Sequence, residues 1–191
     1  MKKVIIIGAT GSLATYVIDA LKALPGVSLT LFVRSRNRLL KALAKDCAVI
    51  EGDAMNYNDI KHAISGQDIV YVNLAGDLEI MARNIVKAMH ENKVDRIIAI
   101  SSIGIYNKPL RAVLIPYRAL VDVIENSGLN YTILRPDWFT TADEIDYAIT
   151  RKGEPEAGTA ISRKSIAAFI KTIIQDPGLH IKENLGISKP G

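Results

Sequence analysis

The chain has 191 residues, 49% of them hydrophobic and 23% charged, with a formal net charge of +4 and one cysteine. That size and balance fit one globular domain with its own core, and no apolar run reaches the roughly 18 residues of a membrane span. The lone thiol, Cys47, excludes an internal disulfide and points to core packing in a reducing cytoplasm.

Residues 4–7, Val4-Ile5-Ile6-Ile7, are apolar throughout, as in a strand covered on both faces. The preceding lysines give the charge order of a signal peptide, but glycine-rich sequence breaks the run at once and no small-residue cleavage site ends it. Leu13, Val17, Leu21 and Leu24 then recur at helical spacing until Pro25-Gly26. Strand-like runs follow at 28–33, 47–50, 68–74, 96–101 and 131–134. Helical runs alternate with them at 38–45, 58–65, 77–91 and 116–126, and a last helix occupies 162–174. Pro116 stands in a first turn, where its missing N–H costs nothing. Strands separated by helices with short turns predict right-handed crossovers. The expectation is a single-domain α/β fold, a doubly wound parallel sheet.

In such a sheet ligands gather at the carboxyl ends of the strands. The first strand runs into "GATGSLA", with Gly8 and Gly11 in a tight turn and Ala14 where a third glycine often stands. Gly8 opens backbone angles closed to other residues, and Gly11 leaves room for a diphosphate. The N–H groups of Thr10, Gly11, Ser12 and Leu13, with the positive end of the following helix, meet the phosphates. A glycine turn alone is a weak signal; its place between a buried strand and a helix gives it weight.

An NAD site usually ends the second strand with an acidic residue that holds the ribose hydroxyls. Here the sequence reads "FVRSRNR". Arg34, with Ser35 and Arg36 behind it, offers guanidinium forks suited to a 2′-phosphate, which favours NADP over NAD; the alternative is a solvated basic loop. Asp53 and Ala54 follow the third strand, where a carboxylate accepts from an adenine amino group. Leu74, Ala75 and Gly76, in "NLAG", end the fourth with small residues that admit a ribose. Each also has the plainer reading of a turn residue.

Together these stretches, with "SSIGIY" at 101–106 and "SGLNYTILRPDWFT" at 127–140, resemble the short-chain dehydrogenase/reductase superfamily. Within it they resemble the atypical branch of small NAD(P)H-binding proteins that includes the NmrA-like regulators and the flavin/biliverdin reductase type. The resemblance implies a Rossmann-like domain over nearly the whole chain, with Ser101 and Ser102 beside the nicotinamide. It also implies that Arg135, Pro136, Asp137 and Trp138 wall the same pocket. With the chain ending at Gly191, the substrate pocket is expected from loops 103–116 and 137–160.

Reducing members of that superfamily use Tyr-x-x-x-Lys, in which lysine lowers the tyrosine's pKa. Tyr117 begins the right helix, but Val121 stands four residues on. Placing Arg118 in the lysine's register puts Leu114 where the tyrosine belongs. Arginine differs from lysine in geometry and stays protonated. Ser102, Tyr106 and Tyr117 are the candidate catalytic residues. Hydride transfer to a flavin or quinone needs no protein proton donor, and the cofactor then carries the chemistry.

The leading expectation is an NADP(H)-dependent oxidoreductase acting on a small acceptor. The alternative is a non-catalytic NADP(H) sensor that binds a protein partner. Scattered basic residues give no nucleic-acid footprint, and His62, His90 and His180 lack ligand spacing, so no metal is expected. The basic residues of "ISRKS" are read as facing water.

Overall fold

In the computed structural model, which describes Met1–Gly191, the first strand sets the architecture. Along β1 (Lys2–Ile7), Val4 and Ile6 enter one hydrophobic cluster and Ile5 and Ile7 another, all fully buried. A strand apolar at every position needs cover on both faces, and the alternation of side chains decides which residue meets which layer. One layer holds α1 (Ser12–Lys22) and α6 (Arg163–Gln175). The other holds α3 (Tyr57–Ile64), α4 (Leu78–Asn92) and α5 (Ile115–Glu125).

The remaining strands of the main sheet are β2 (Val27–Val33), β3 (Ala48–Glu51), β4 (Ile69–Val72), β5 (Arg96–Ile100), β6 (Asn130–Pro136), β8 (Ala148–Arg151) and β10 (Glu183–Ser188). They lie in the order β3-β2-β1-β4-β5-β6-β10-β8. Every pairing is parallel except that of β10 with β8. The expected doubly wound α/β sheet is present, and its order reverses between β1 and β4. A crevice opens at that switch point, between the turn after β1 and the end of β4. The register fixes this opening, because Ile7, the last residue of β1, stands beside Phe32 of β2 and Val72 of β4.

Three regions differ from the sequence reading. Residues 38–45 were expected as a helix; the chain forms a 3₁₀ turn at Arg36–Arg38 and a single turn, α2 (Lys41–Ala44). Leu39 and Leu43 do bury together, and that spacing mimics a longer helix. The strand β10, the seventh across the sheet, has no counterpart in the sequence reading, because "ENLGIS" is short and carries polar residues and glycine. Its Asn184 and Ser188 are buried with hydrogen-bond partners, so burial overrides propensity there. A separate two-stranded pair joins β7 (Phe139–Thr140) to β9 (Ile161–Ser162), immediately before α6, and was also unforeseen.

Candidate functional site

The glycine turn closes against β4 with no room for side chains. Gly8 has φ +92°, and a Cβ there would lie 2.1 Å from the carbonyl oxygen of Asn73. A Cβ on Gly11 would come within 3.0 Å of the Asn73 amide nitrogen, and the Gly11 N–H donates to the Gly8 carbonyl at 3.0 Å. Gly11 then serves as N-cap of α1 and supplies no side-chain acceptor, whereas Asn56, Asp77 and Ser162 cap α3, α4 and α6. The first amides of α1 therefore point outward unmatched by any capping group, which suits them to an anion. Ala14 is fully buried and lets α1 approach the sheet closely.

A cleft of about 340 Å³ runs from this turn along the ends of β2, β3 and β4. Gly8, Thr10, Gly11, Ser12 and Leu13 line one side. Arg34, Arg38, Asp53 and Ala54 form its far end, with Leu74 and Ala75 along the floor. Asp53 receives the Met55 N–H at 3.0 Å through Oδ1, and Asn84 of α4 donates to the carbonyls of Ala54 and Met55 at 3.0 Å. That tie from α4 holds the loop still beneath the cleft.

Of the cofactor residues expected at the ends of the second and fourth strands, Ser35, Arg36 and Gly76 lie outside the cleft. Arg36 donates its amide to Glu51 Oε2 at 2.8 Å and its guanidinium to the Val49 carbonyl at 2.5 Å, so its charge lies along β3. Arg38, two residues on, takes the place at the cleft that spacing had given to Arg36. The 3₁₀ turn at Arg36–Arg38 sets the two side chains two-thirds of a circle apart, and only Arg38 faces the cleft.

Beyond β4 the cleft continues into a second cavity of about 350 Å³. The two share Asn73, Leu74, Tyr117 and Phe139 as walls. Ser101, Ser102, Pro136, Asp137 and Trp138 line the second cavity. Ser101 is buried and its hydroxyl donates to the Tyr117 carbonyl at 3.3 Å, fixing the start of α5 against β5. The Ser102 hydroxyl donates to the Ile103 carbonyl at 3.2 Å. Tyr117 stands where the two cavities meet, and Val121, four residues on, is fully buried in the core.

Arg135 and Tyr106 belong to a different neighbourhood. Arg135 is 1% exposed and directs its guanidinium into an ion pair with Glu156 at 2.7 Å and onto the carbonyl and side-chain oxygens of Asn184. It walls an adjoining open cavity of about 830 Å³ rather than the cleft. Glu156 also accepts the Gly104 N–H at 2.9 Å, so one carboxylate ties two loops together. Tyr106 lines that outer cavity too. Its hydroxyl accepts from Asn184 Nδ2 at 2.8 Å, and its ring is flanked by Arg118, Arg135 and Lys152 at 4.8, 5.3 and 5.3 Å. Burial raises its pKa above the usual phenol value and the Glu125 carboxylate adds to this, while Lys152 pulls the other way. Lys152 itself is held by Glu125 at 2.7 Å. The inner and outer cavities meet at a rim of Ile103, Arg111, Leu114, Asp137 and Trp138, with the Trp138 side chain 76% exposed.

Asn73 and Arg38 line the cleft without being expected there, and Arg163 touches its glycine turn. Asn73 opens "NLAG", and its side-chain nitrogen lies 3.0 Å from where a Cβ on Gly11 would stand. Arg163, expected to face water, reaches Ser12 of the glycine turn at 3.3 Å. Nothing in local sequence signals that contact, since 151 residues separate the pair. No group of three or more His, Cys, Asp or Glu side chains is arranged to hold a metal ion, and no helix is long and apolar enough to cross a membrane.

A glycine turn opening a helix at the switch point of a doubly wound sheet, with one cleft running along successive strand ends, defines a Rossmann-like protein of the short-chain dehydrogenase/reductase type. The chain belongs to the NAD(P)H-binding family, whose sequence profile matches residues 8–177. It is similar to a Rossmann-fold NAD(P)-binding family protein from Shigella flexneri at 45% identity and TM-score 0.92, covering 100% of this chain and 95% of that one. A short-chain dehydrogenase/reductase from Veillonella parvula DSM 2008, solved in complex with NADP, matches at 25% identity and TM-score 0.91 over 100% of this chain and 95% of that one. ChuY, an anaerobillin reductase from Escherichia coli O157:H7, shares the fold at 17% identity and TM-score 0.82, over 99% and 98% of the two chains.

Proposed function

We propose that the protein is an NADP(H)-dependent oxidoreductase that reduces a small acceptor. The observation that carries this reading is the continuity of the cleft. Its glycine turn lies between an arginine-bearing end at Arg34 and Arg38 and an apolar end at Pro136 and Phe139. A dinucleotide laid along it meets matching chemistry at each station. Amides of Ser12 and Leu13 take the diphosphate, Asp53 takes the adenine amino group, and the two guanidinium groups take the 2′-phosphate. NADP in the Veillonella relative supports the choice of the phosphorylated form.

The nicotinamide ring, when bound, supplies a hydride. The chain's residues supply position: Leu74, Tyr117, Pro136 and Phe139 wall the ring's place and exclude water from it. Ser101 and Ser102 sit on the cavity floor at the end of β5. The acceptor then enters from the outer cavity across the rim of Arg111 and Trp138. A flavin or quinone takes its proton from water, so the reaction needs no lysine-assisted tyrosine. ChuY, an anaerobillin reductase on the same fold, is a precedent for reduction by such an architecture.

The test is NADPH consumption by purified protein, followed at the nicotinamide absorbance, against flavin, quinone and aldehyde panels. Turnover with one class supports the reading; tight NADPH binding with no turnover in any class would overturn it. That second result would favour the alternative, a cofactor sensor with a protein partner. Val121 in place of a lysine after Tyr117 is the feature that keeps this alternative in view. A sensor requires a partner whose affinity differs between NADPH and NADP⁺, because only differential binding shifts an equilibrium.

A further inference from the structure

We infer that Arg163 is a diphosphate-binding residue, a clamp that closes over the glycine turn from α6; this rests on the cofactor reading above. The side chain starts at the first residue of α6 and crosses to α1. Its Nε donates to Ser12 Oγ at 3.3 Å and its Nη1 to the Thr140 carbonyl at 3.1 Å. The guanidinium stacks on Phe139 at 5.2 Å, and Phe139 is a shared wall of the two cavities. These contacts hold the group in one place, beside the residue that opens α1.

What they do not provide is a counter-charge. Arg163 is in no ion pair. The acidic residues of the adjoining segment, Asp143 and Glu144, are engaged by Lys164 and Lys189 at 2.5 and 2.7 Å. Nη2 has no hydrogen-bond partner within the protein. A guanidinium held beside the positive end of an uncapped helix, with no counter-charge and its outer edge free, is placed to receive an anion. The glycine turn sets where that anion lies, and a diphosphate is the part of a dinucleotide that reaches it. The planar fork suits two phosphate oxygens, which an ammonium would not grip in the same way. Because the same side chain holds Thr140 and Phe139, it also ties the phosphate turn to the wall of the inner cavity.

The assignment separates two arginine roles, Arg34 lining the cleft and Arg163 against Ser12 of its glycine turn. Arg34 discriminates the 2′-phosphate, whereas Arg163 contacts a group that NADPH and NADH share. Titration calorimetry on the full chain distinguishes them with NADPH, NADH and adenosine 2′-monophosphate as probes. Arg163→Ala should weaken NADPH and NADH by the same factor, roughly tenfold or more for one charge-assisted contact, and leave adenosine 2′-monophosphate unchanged. Arg163→Gln, which keeps a donor near Thr140, should show the same loss, and it carries the test if the alanine variant does not fold. Unchanged dinucleotide affinities, or a loss shared by adenosine 2′-monophosphate, would overturn the assignment. A wild-type chain that binds no NADPH would instead overturn the cofactor reading on which it rests.

Discussion

Replacing Gly8 by alanine puts a methyl group 2.1 Å from the Asn73 carbonyl oxygen and 2.9 Å from its carbonyl carbon. Ordinary contact begins near 3.4 Å, so the end of β4 and the glycine turn must separate by about 1 Å or more. Overpacking of that kind costs roughly 1–3 kcal/mol. The φ of +92° adds roughly 1–2 kcal/mol for any residue with a Cβ. Together they amount to about 3 kcal/mol, a fall in Tm of about 6–12 °C for a chain of this length. Gly26→Ala isolates the backbone component, because Gly26 has φ +75° and nothing within 4 Å of its would-be Cβ. It should lower Tm by only about 2–8 °C, less than Gly8→Ala in the same buffer. Calorimetric melting of the two variants beside the wild type decides the matter. Equal shifts would refute the argument that the turn is closed against β4.

The remaining predictions concern the cleft and its surroundings. Arg34→Ala, alone or with Arg38→Ala, should raise the Kd for NADPH roughly 10- to 100-fold and leave that for NADH nearly unchanged, as read by calorimetry. Val121→Lys restores the spacing Tyr-x-x-x-Lys after Tyr117, but the site is fully buried. The variant should lose roughly 10 °C or more in Tm and gain no activity. Glu156→Ala strands the buried Arg135 guanidinium and the Gly104 amide; it should cost about 2–3 kcal/mol in chemical denaturation, since Asn184 still accepts from the arginine. Burial and the Glu125 carboxylate hold the Tyr106 hydroxyl protonated through the neutral range. Tyr106→Phe should therefore leave the pH profile of NADPH oxidation unchanged between about pH 6 and about pH 9, and the loss of an inflection there would contradict this.

The sequence discloses most where one residue answers one local demand. Gly8 is legible because a positive φ and a close backbone approach leave no other choice, and the apolar run after Lys3 is legible because a parallel strand is covered on both faces. Arg34, Asp53 and Leu74 follow from the rule that ligands gather at strand ends. What stayed hidden depends on contacts distant in the chain. The strand at Glu183–Ser188 is apolar only in part, and its polar residues become acceptable through Arg135 and the Ala157 carbonyl. Arg135 itself reads like a pocket residue in "LRPDWF", yet Glu156 and Asn184 draw its charge below the outer cavity. Arg38 rather than Arg36 reaches the cleft, because Arg36 is drawn onto Glu51 and the Val49 carbonyl across the chain. For Arg163 the partner lies at the other end of the chain, and no pattern near residue 163 points to it.

The central claim is that this cleft takes a dinucleotide with its diphosphate on the amides of α1 and its 2′-phosphate beside Arg34. Titration of the folded wild-type chain with NADPH and with NADH, in the same calorimeter and buffer, tests it most directly. Saturable binding of both, with NADPH at least tenfold tighter, is the predicted result. No heat from either nucleotide at about millimolar concentration, or a preference for NADH, would contradict it.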